Sequence, residues 1–116
     1  MASSKEYLQF ILEQLSGLEE INYRAMMGEY IIYYRERVVG GIYDDRLLVK
    51  PTKSAVSYMT TATYELPYEG AKEMLLVENV DSKEYLAGLF KAMYDELPVH
   101  KANNKKKSLN NLYTFQ

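Results

Sequence analysis

The segment from residue 24 to residue 50 constrains the fold more than any other part of this chain. It contains three short runs rich in Ile, Val and Tyr, at residues 30–34, 38–43 and 47–49, and two charged breaks separate them. β-branched and aromatic residues favour strands, and breaks of about two residues require consecutive strands to pair directly. The second break contains Asp44 and Asp45, and Asp tolerates the positive φ of a tight hairpin turn. The segment therefore predicts an antiparallel three-strand meander.

Periodic apolar residues predict a helix on each side of the meander. Residues 3–15 repeat Leu and Ile at helical spacing behind a capping box that starts at Ser3. Residues 81–97 repeat this pattern behind a capping box that starts at Asp81, and Pro98 ends the helix. Weaker patterns predict a connector at residues 18–23, a short helix at 54–59 capped by Thr52 or Ser54, a loop at 63–70 and a further strand at 73–78. The predicted class is α+β, with helices on a mostly antiparallel sheet.

The first strand of the meander is apolar on both faces. Its alternate residues are Tyr30, Ile32 and Tyr34 on one side and Ile31 and Tyr33 on the other. Antiparallel sheets with one solvated face normally alternate apolar with polar residues. The pattern therefore predicts that both faces of the sheet are covered. A second copy of the chain is the simplest candidate for the second cover.

Gly40 and Gly41 interrupt the second strand of the meander. Glycine inside a strand weakens pairing and usually marks a bulge, a bend or a close approach of two backbones. A bulge that curves the sheet is the simplest interpretation of this pair.

Charge is divided unevenly between the body of the chain and its C-terminal tail. Residues 1–97 carry ten Lys and Arg against sixteen Asp and Glu, whereas residues 98–116 carry four Lys and no acid. The predicted organisation is one domain over residues 1–97 and a basic, flexible tail over residues 98–116. Because nucleic-acid affinity depends on neutralising phosphates, the acidic body argues against a broad duplex-binding face. Weak nucleic-acid contact is predicted only for the lysines of the tail, Lys101, Lys105, Lys106 and Lys107.

The sequence lacks the residues that most catalytic and metal sites require. It has no Cys, so disulfides and thiolate metal sites are excluded and the cytoplasm is the predicted compartment. The one His, His100, cannot assemble a triad or a metal site alone. No stretch approaches the roughly 20 apolar residues that span a bilayer, so no membrane association is predicted. No catalytic residue, metal or cofactor is predicted either.

Two groups of residues are candidates for partner binding. Arg24, Asp45 and Lys50 would form a charged cluster at one end of the meander, either as a docking or anion site or as a structural ion pair. The second group comes from the twelve Tyr of the chain, because Tyr is enriched at protein interfaces. Its members are Tyr30, Tyr34 and Tyr43, for which the alternative is a place in the core or at the sheet edge.

An ordered set of residues runs through the meander, with Arg24, Met26 and Gly28 before its first strand and Asp45, Leu47 and Lys50 around its third. A strand that leads to the last helix follows in residues 67–98. In this order the residues resemble the N-terminal domain of the TfoX/Sxy family, which is associated with the regulation of natural competence in bacteria. The resemblance covers roughly residues 5–97.

The resemblance implies a compact α+β domain of the type compared with secretion chaperones, which commonly dimerise. Two positions depart from the family pattern: Ile31 replaces a small residue, and Arg35–Glu36 replaces a turn that contains Gly. Competence regulators of the family also carry a C-terminal helical domain, which nothing after Pro98 resembles, so a stand-alone module is expected.

The sequence therefore predicts a non-enzymatic regulatory module that forms a homodimer and binds another regulatory protein. One alternative is a nucleic-acid-binding regulator that uses the basic tail or a face on which positive charge is segregated. The other is a small-molecule sensor or enzyme with a pocket under the loop at residues 61–72, which would require a deep cleft with convergent polar groups.

Overall fold

Six strands form one antiparallel sheet in the computed structural model, which describes residues 3–99. In chain order the elements are α1 (Lys5–Gln14), β1 (Ile21–Met26), β2 (Glu29–Tyr34), β3 (Arg37–Ile42), β4 (Leu47–Val49), α2 (Lys53–Tyr58), β5 (Tyr64–Glu65), β6 (Met74–Leu76) and α3 (Lys83–Met93), followed by a 3-10 turn at Tyr94–Glu96. The strand order across the sheet is β1-β2-β3-β4-β6-β5. The predicted α+β class is confirmed, and β2, β3 and β4 are the predicted meander.

Two-residue turns join the first four strands. Their central residues are Met27–Gly28, Arg35–Glu36 and Asp44–Asp45, and all six have positive φ, from 50° to 85°. Positive φ at both central positions characterises the type I′ turn, whose twist matches that of paired strands. The positive φ predicted for the Asp pair is therefore confirmed.

The two edge strands escape prediction from the sequence. The connector predicted at residues 18–23 is wrong, because β1 begins at Ile21. β1 is exposed along most of its length, and its apolar residues Ile21, Tyr23 and Ala25 alternate with Asn22 and Arg24 over only five positions. It pairs with β2 from Ile21–Tyr34 to Met26–Glu29. β5 likewise pairs with β6 inside the predicted loop at residues 63–70. Backbone pairing with a neighbouring strand therefore defines both strands.

All three helices pack on one face of the sheet. Their apolar side chains join inward-facing residues of β2, β3, β4 and β6 in one buried cluster. Its fully buried members include Ile11, Ile32, Leu75, Leu89 and Phe90. No helix between residues 3 and 99 combines the length and the apolar character needed to cross a bilayer.

A hydroxyl side chain begins each helix, one residue later than predicted in two cases. The caps are Ser4 and not Ser3 for α1, Ser82 and not Asp81 for α3, and Thr52 for α2 as predicted. Each cap oxygen accepts a hydrogen bond from the backbone N–H three residues on, at 3.1 Å. The Ser3 hydroxyl instead donates a hydrogen bond to Glu29.

The glycine pair in β3 lies beside a bulge and at a close approach of two backbones. The register between β2 and β3 shifts at Val39, which is the extra residue of the bulge, as predicted. A Cβ atom on Gly40 would overlap the Leu48 carbonyl oxygen and lie 2.6 Å from the Val49 Cα. Gly40 is therefore required by the spacing of β3 and β4 rather than by a turn.

The segment at residues 66–73 partly covers the sheet face opposite the helices. Cross-strand pairing places Leu48 on this face, where it is completely buried outside the helix-side cluster. Arg46 holds the segment, because its Nη2 donates to the Pro67 carbonyl oxygen at 3.3 Å. The chain itself thus covers part of this face beside Tyr43 and Arg46.

Arg37 ties the end of the last helix to the sheet. Its Nη1 donates to the Tyr94 carbonyl oxygen at 2.9 Å, and its guanidinium carbon lies 4.3 Å from the centroid of the Tyr94 ring. The structure is described to Val99. His100 and the predicted nucleic-acid contacts Lys101, Lys105, Lys106 and Lys107 lie outside the described residues.

Candidate docking site

An apolar cleft opens at the corner of the sheet where the β1–β2 and β3–β4 turns lie. Its volume is about 360 Å³, and its lining residues are Met26, Met27, Glu29, Tyr43 and Tyr68. Met26 and Glu29 form the last cross-strand pair of β1 and β2, directly before the turn. This methionine cleft is therefore built by a hairpin end, a strand end and the covering segment together.

Glu29 is fixed in the cleft by the N-terminal end of the chain. Its Oε1 accepts hydrogen bonds from the Ser3 hydroxyl at 2.7 Å and from the Asp44 amide at 3.2 Å. Ser3 is buried, and its amide donates to the Gly28 carbonyl oxygen at 2.9 Å. One carboxylate thus joins the two turns, which gives the cleft a rigid base.

Tyr43 and Tyr68 form the aromatic part of the lining. Their ring centroids are 6.2 Å apart with an interplanar angle of 53°. Tyr43 is buried, whereas Tyr68 is 60% exposed. Burial raises the pKa of the Tyr43 hydroxyl above its ordinary value, and nearby Tyr68 and Glu29 raise it further. The Tyr43 hydroxyl is therefore protonated at neutral pH, so it does not act as a base.

Met27 contradicts the local rules of its turn. Its side chain is 96% exposed and its φ is 53°. The first central position of a type I′ turn favours Asn, Asp or Gly, because other side chains are strained at positive φ. A methionine there gains no turn stability and exposes apolar surface to water, so folding alone does not explain its presence.

Two smaller clefts lack the features of a small-molecule or catalytic site. One, of about 270 Å³, shares Tyr43 and Tyr68 and is also lined by Lys50, Lys72 and Glu73. The other, of about 220 Å³, is lined mainly by residues near the end of α2 and after β6. Both fall below the roughly 300 Å³ at which ligand pockets begin. Within residues 3–99, no group of three His, Cys, Asp or Glu side chains could hold a metal ion.

The structure does not bring the three charged candidates together. Asp45 lies in the β3–β4 turn, Lys50 follows the far end of β4, and Arg24 lies on the edge strand β1. Asp45 instead accepts a hydrogen bond from the Ser4 amide at 2.8 Å, at the start of α1. Among residues 3–99 neither cation forms an ion pair with it. The predicted cluster is wrong, because the meander places its members at different ends and edges of the sheet.

The three candidate tyrosines have three different environments. Tyr43 lines the methionine cleft. Tyr34 is 6% exposed and packs in the core, 5.5 Å from Tyr94 between ring centroids, so a partner cannot reach it. Tyr30 is partly buried on the helix side of β2, with its ring edge-on to Tyr23 at 5.9 Å. Tyr43 is therefore the one candidate that belongs to the cleft.

Sequence reasoning does not identify Met26, Met27, Glu29 or Tyr68 as site residues. The available indication is the Met27–Gly28 pair, which places an exposed apolar residue at a turn position suited to Asn. Tyr68 comes from a segment distant in sequence, and only the tertiary fold places it against Tyr43.

Most of the described chain is similar to known proteins. A family model described as the TfoX N-terminal domain matches residues 13–95, which include every residue of the methionine cleft. The chain is also 32% identical over 80 residues to an uncharacterized 12.7 kDa protein in the trpE 5′ region of Spirochaeta aurantia. That overlap covers 69% of this chain and 70% of the relative. No solved structure shows a significant match.

Proposed function

Because the chain belongs to the TfoX N-terminal domain family, which is linked to competence regulation, we propose that it is a non-enzymatic regulatory module that acts by binding another protein. The docking site is the methionine cleft. The partner inserts a bulky apolar side chain between the methionines and Tyr68, while the rest of its surface contacts the rim of the corner.

Met27 is the observation that carries this proposal. Proteins break local folding rules mainly at functional sites, and this residue is strained and almost entirely exposed at once. Met and Tyr are enriched at protein interfaces, and a thioether side chain adapts to the shape of what it contacts. Tyr68, 60% exposed, supplies a second apolar surface that a partner would bury.

Site-specific photo-crosslinking in the host cell tests whether a protein docks here. A photoreactive amino acid replaces Met27 in one variant and Tyr64 in a control; Tyr64 is also exposed but lies on β5, at the other edge of the sheet. We expect one discrete crosslinked species from position 27 and none from position 64. Equal crosslinking from both positions would contradict docking at the cleft.

Met27→Asn distinguishes a role in docking from a role in folding, because it is expected to raise the free energy of unfolding and to lower the affinity for the partner. Asn tolerates positive φ, so the variant is expected to gain about 0.5 to 1 kcal/mol in free energy of unfolding. The same change removes apolar contact area, so affinity for the crosslinked partner is expected to fall at least about tenfold, as for a typical interface hot spot. Denaturant unfolding and a binding titration measure the two effects. A stabilised variant with unchanged affinity would assign Met27 no part in docking.

A further inference from the structure

β1 is an unprotected edge of the sheet. It is six residues long and pairs with β2 alone, and within residues 3–99 no other strand lies on its outer side. Asn22, Arg24 and Ala25 are exposed, and so are Tyr23 at 46% and Met26 at 44%. The opposite edge, β5, has only two residues. A long exposed edge is a template for pairing with another chain.

The hydrogen-bonding groups on this edge follow from the register. The two-residue turn at Met27–Gly28 makes its flanking residues, Met26 and Glu29, a hydrogen-bonded pair, and the bond from the Arg35 amide to the Glu20 carbonyl oxygen at 2.9 Å agrees with that phase. Hydrogen-bonded pairs alternate along an antiparallel ladder, so residues 22, 24 and 26 also bond to β2. The N–H and C=O groups of Ile21, Tyr23 and Ala25 therefore point away from the sheet.

β1 also lacks the devices by which natural edges avoid pairing. It contains no Pro, no bulge interrupts its register with β2, and its one charged side chain is Arg24. Natural edge strands avoid pairing through those features and through Lys or inward-pointing charges. A six-residue edge without features that prevent strand pairing indicates that another strand covers β1 in the native protein.

We propose that the occupant of this edge is a second copy of the chain, paired antiparallel through β1 about a two-fold axis at Tyr23. In this register Tyr23 faces Tyr23 of the second copy, and Ile21 faces Ala25. These are the residues whose backbone groups point outward, so every free donor on the edge meets an acceptor. The two sheets join into one.

The side chains of β1 fit this register and oppose no like charges. Arg24 faces Asn22 of the second copy, so the one charged side chain of β1 meets a polar, uncharged one. Tyr23 and Tyr30, which already contact each other at 5.9 Å, meet the same pair from the second copy and bury their exposed surface. This self-complementarity favours a second copy over an unrelated strand.

Oxidative crosslinking tests the register, and the chain's lack of Cys makes the result specific. Tyr23→Cys places two thiols on the axis, about 5.5 Å apart between Cα atoms, which is within disulfide range. Met27→Cys, at an almost fully exposed position, places them about eight residue rises apart, roughly 26 Å. We expect a covalent dimer from the first variant and none from the second. Crosslinking of both variants, or of neither, would overturn the register.

Proline substitution on the edge tests the pairing itself. The Ala25 amide points outward, so Ala25→Pro is expected to leave the sheet intact and reduce the light-scattering mass to one chain of 13.5 kDa, while the wild type gives twice that mass at tens of micromolar. Arg24→Pro, which removes an internal bond to β2, is the control expected to lower the melting temperature as well. A monomeric wild type, or a dimeric Ala25→Pro variant, would refute the proposal. These outcomes are independent of whether a partner binds the methionine cleft.

Discussion

Gly40→Ala is expected to destabilise the fold by about 3 kcal/mol, the upper end of the usual cost of overpacking. The added Cβ would overlap the Leu48 carbonyl oxygen and approach the Leu48 carbonyl carbon to 2.9 Å and the Val49 Cα to 2.6 Å. These are backbone atoms of a paired central strand, so no side chain can rotate away to make room. β3 and β4 would have to separate, and the hydrogen bonds between them would weaken.

The measurement is denaturant unfolding of Gly40→Ala beside Gly17→Ala. A Cβ atom on Gly17 meets nothing within 4 Å, so the control should unfold within about 0.5 kcal/mol of the wild type. For a domain of this size, the loss at Gly40 corresponds to a fall of roughly 15 °C in melting temperature. Equal stability of the two variants would mean that β3 and β4 separate at little cost.

The central meander can be predicted from the sequence because its causes are local. Tyr, Ile and Val at residues 30–34 favour a strand whatever surrounds them, and Asp44–Asp45 suits the turn that it forms. β1 cannot be predicted in this way. Its apolar residues Ile21, Tyr23 and Ala25 alternate with polar ones, but the run is short and mostly exposed, so its strand conformation depends on pairing with β2 after the Met27–Gly28 turn. The predicted cover on both faces of β2 stays a prediction on the face of Ile31 and Tyr33, because the segment at residues 66–73 contacts Tyr43 and Arg46 instead.

The residues of the methionine cleft are likewise only partly predictable from local sequence. Tyr43 can be predicted as an interface candidate, because tyrosine is enriched at protein interfaces, and it does line the cleft. The same argument selects Tyr34, which instead packs in the core beside Phe90. Composition alone does not distinguish Tyr34 from Tyr43 as an interface residue. The distinction depends on which face of β2 or β3 the register turns toward the helices, and that is a property of the assembled sheet.

Asp45 carries the second large stability effect, and its variants test whether its role is structural. Its Oδ1 accepts a hydrogen bond from the Ser4 amide at 2.8 Å, and its own φ is 55°. The carboxylate thus satisfies a backbone donor at the start of α1, as the second residue of a capping box would, but from a turn distant in sequence. Asp45→Ala loses both the acceptor and a residue that tolerates positive φ, so a loss of about 2 kcal/mol in free energy of unfolding is expected.

Two further substitutions divide that loss into its parts. Asp45→Gly removes the acceptor but relieves the strain of positive φ, so it should cost about 1 kcal/mol. Asp45→Asn retains an oxygen acceptor and suits positive φ, so it should cost about 0.5 kcal/mol or less. Unfolding titrations of the three variants, with partner affinity measured on each folded protein, decide the role. The order Ala, Gly, Asn from largest to smallest loss, with affinity unchanged, is the structural outcome; a loss of affinity in the well-folded Asn variant would make Asp45 a docking residue.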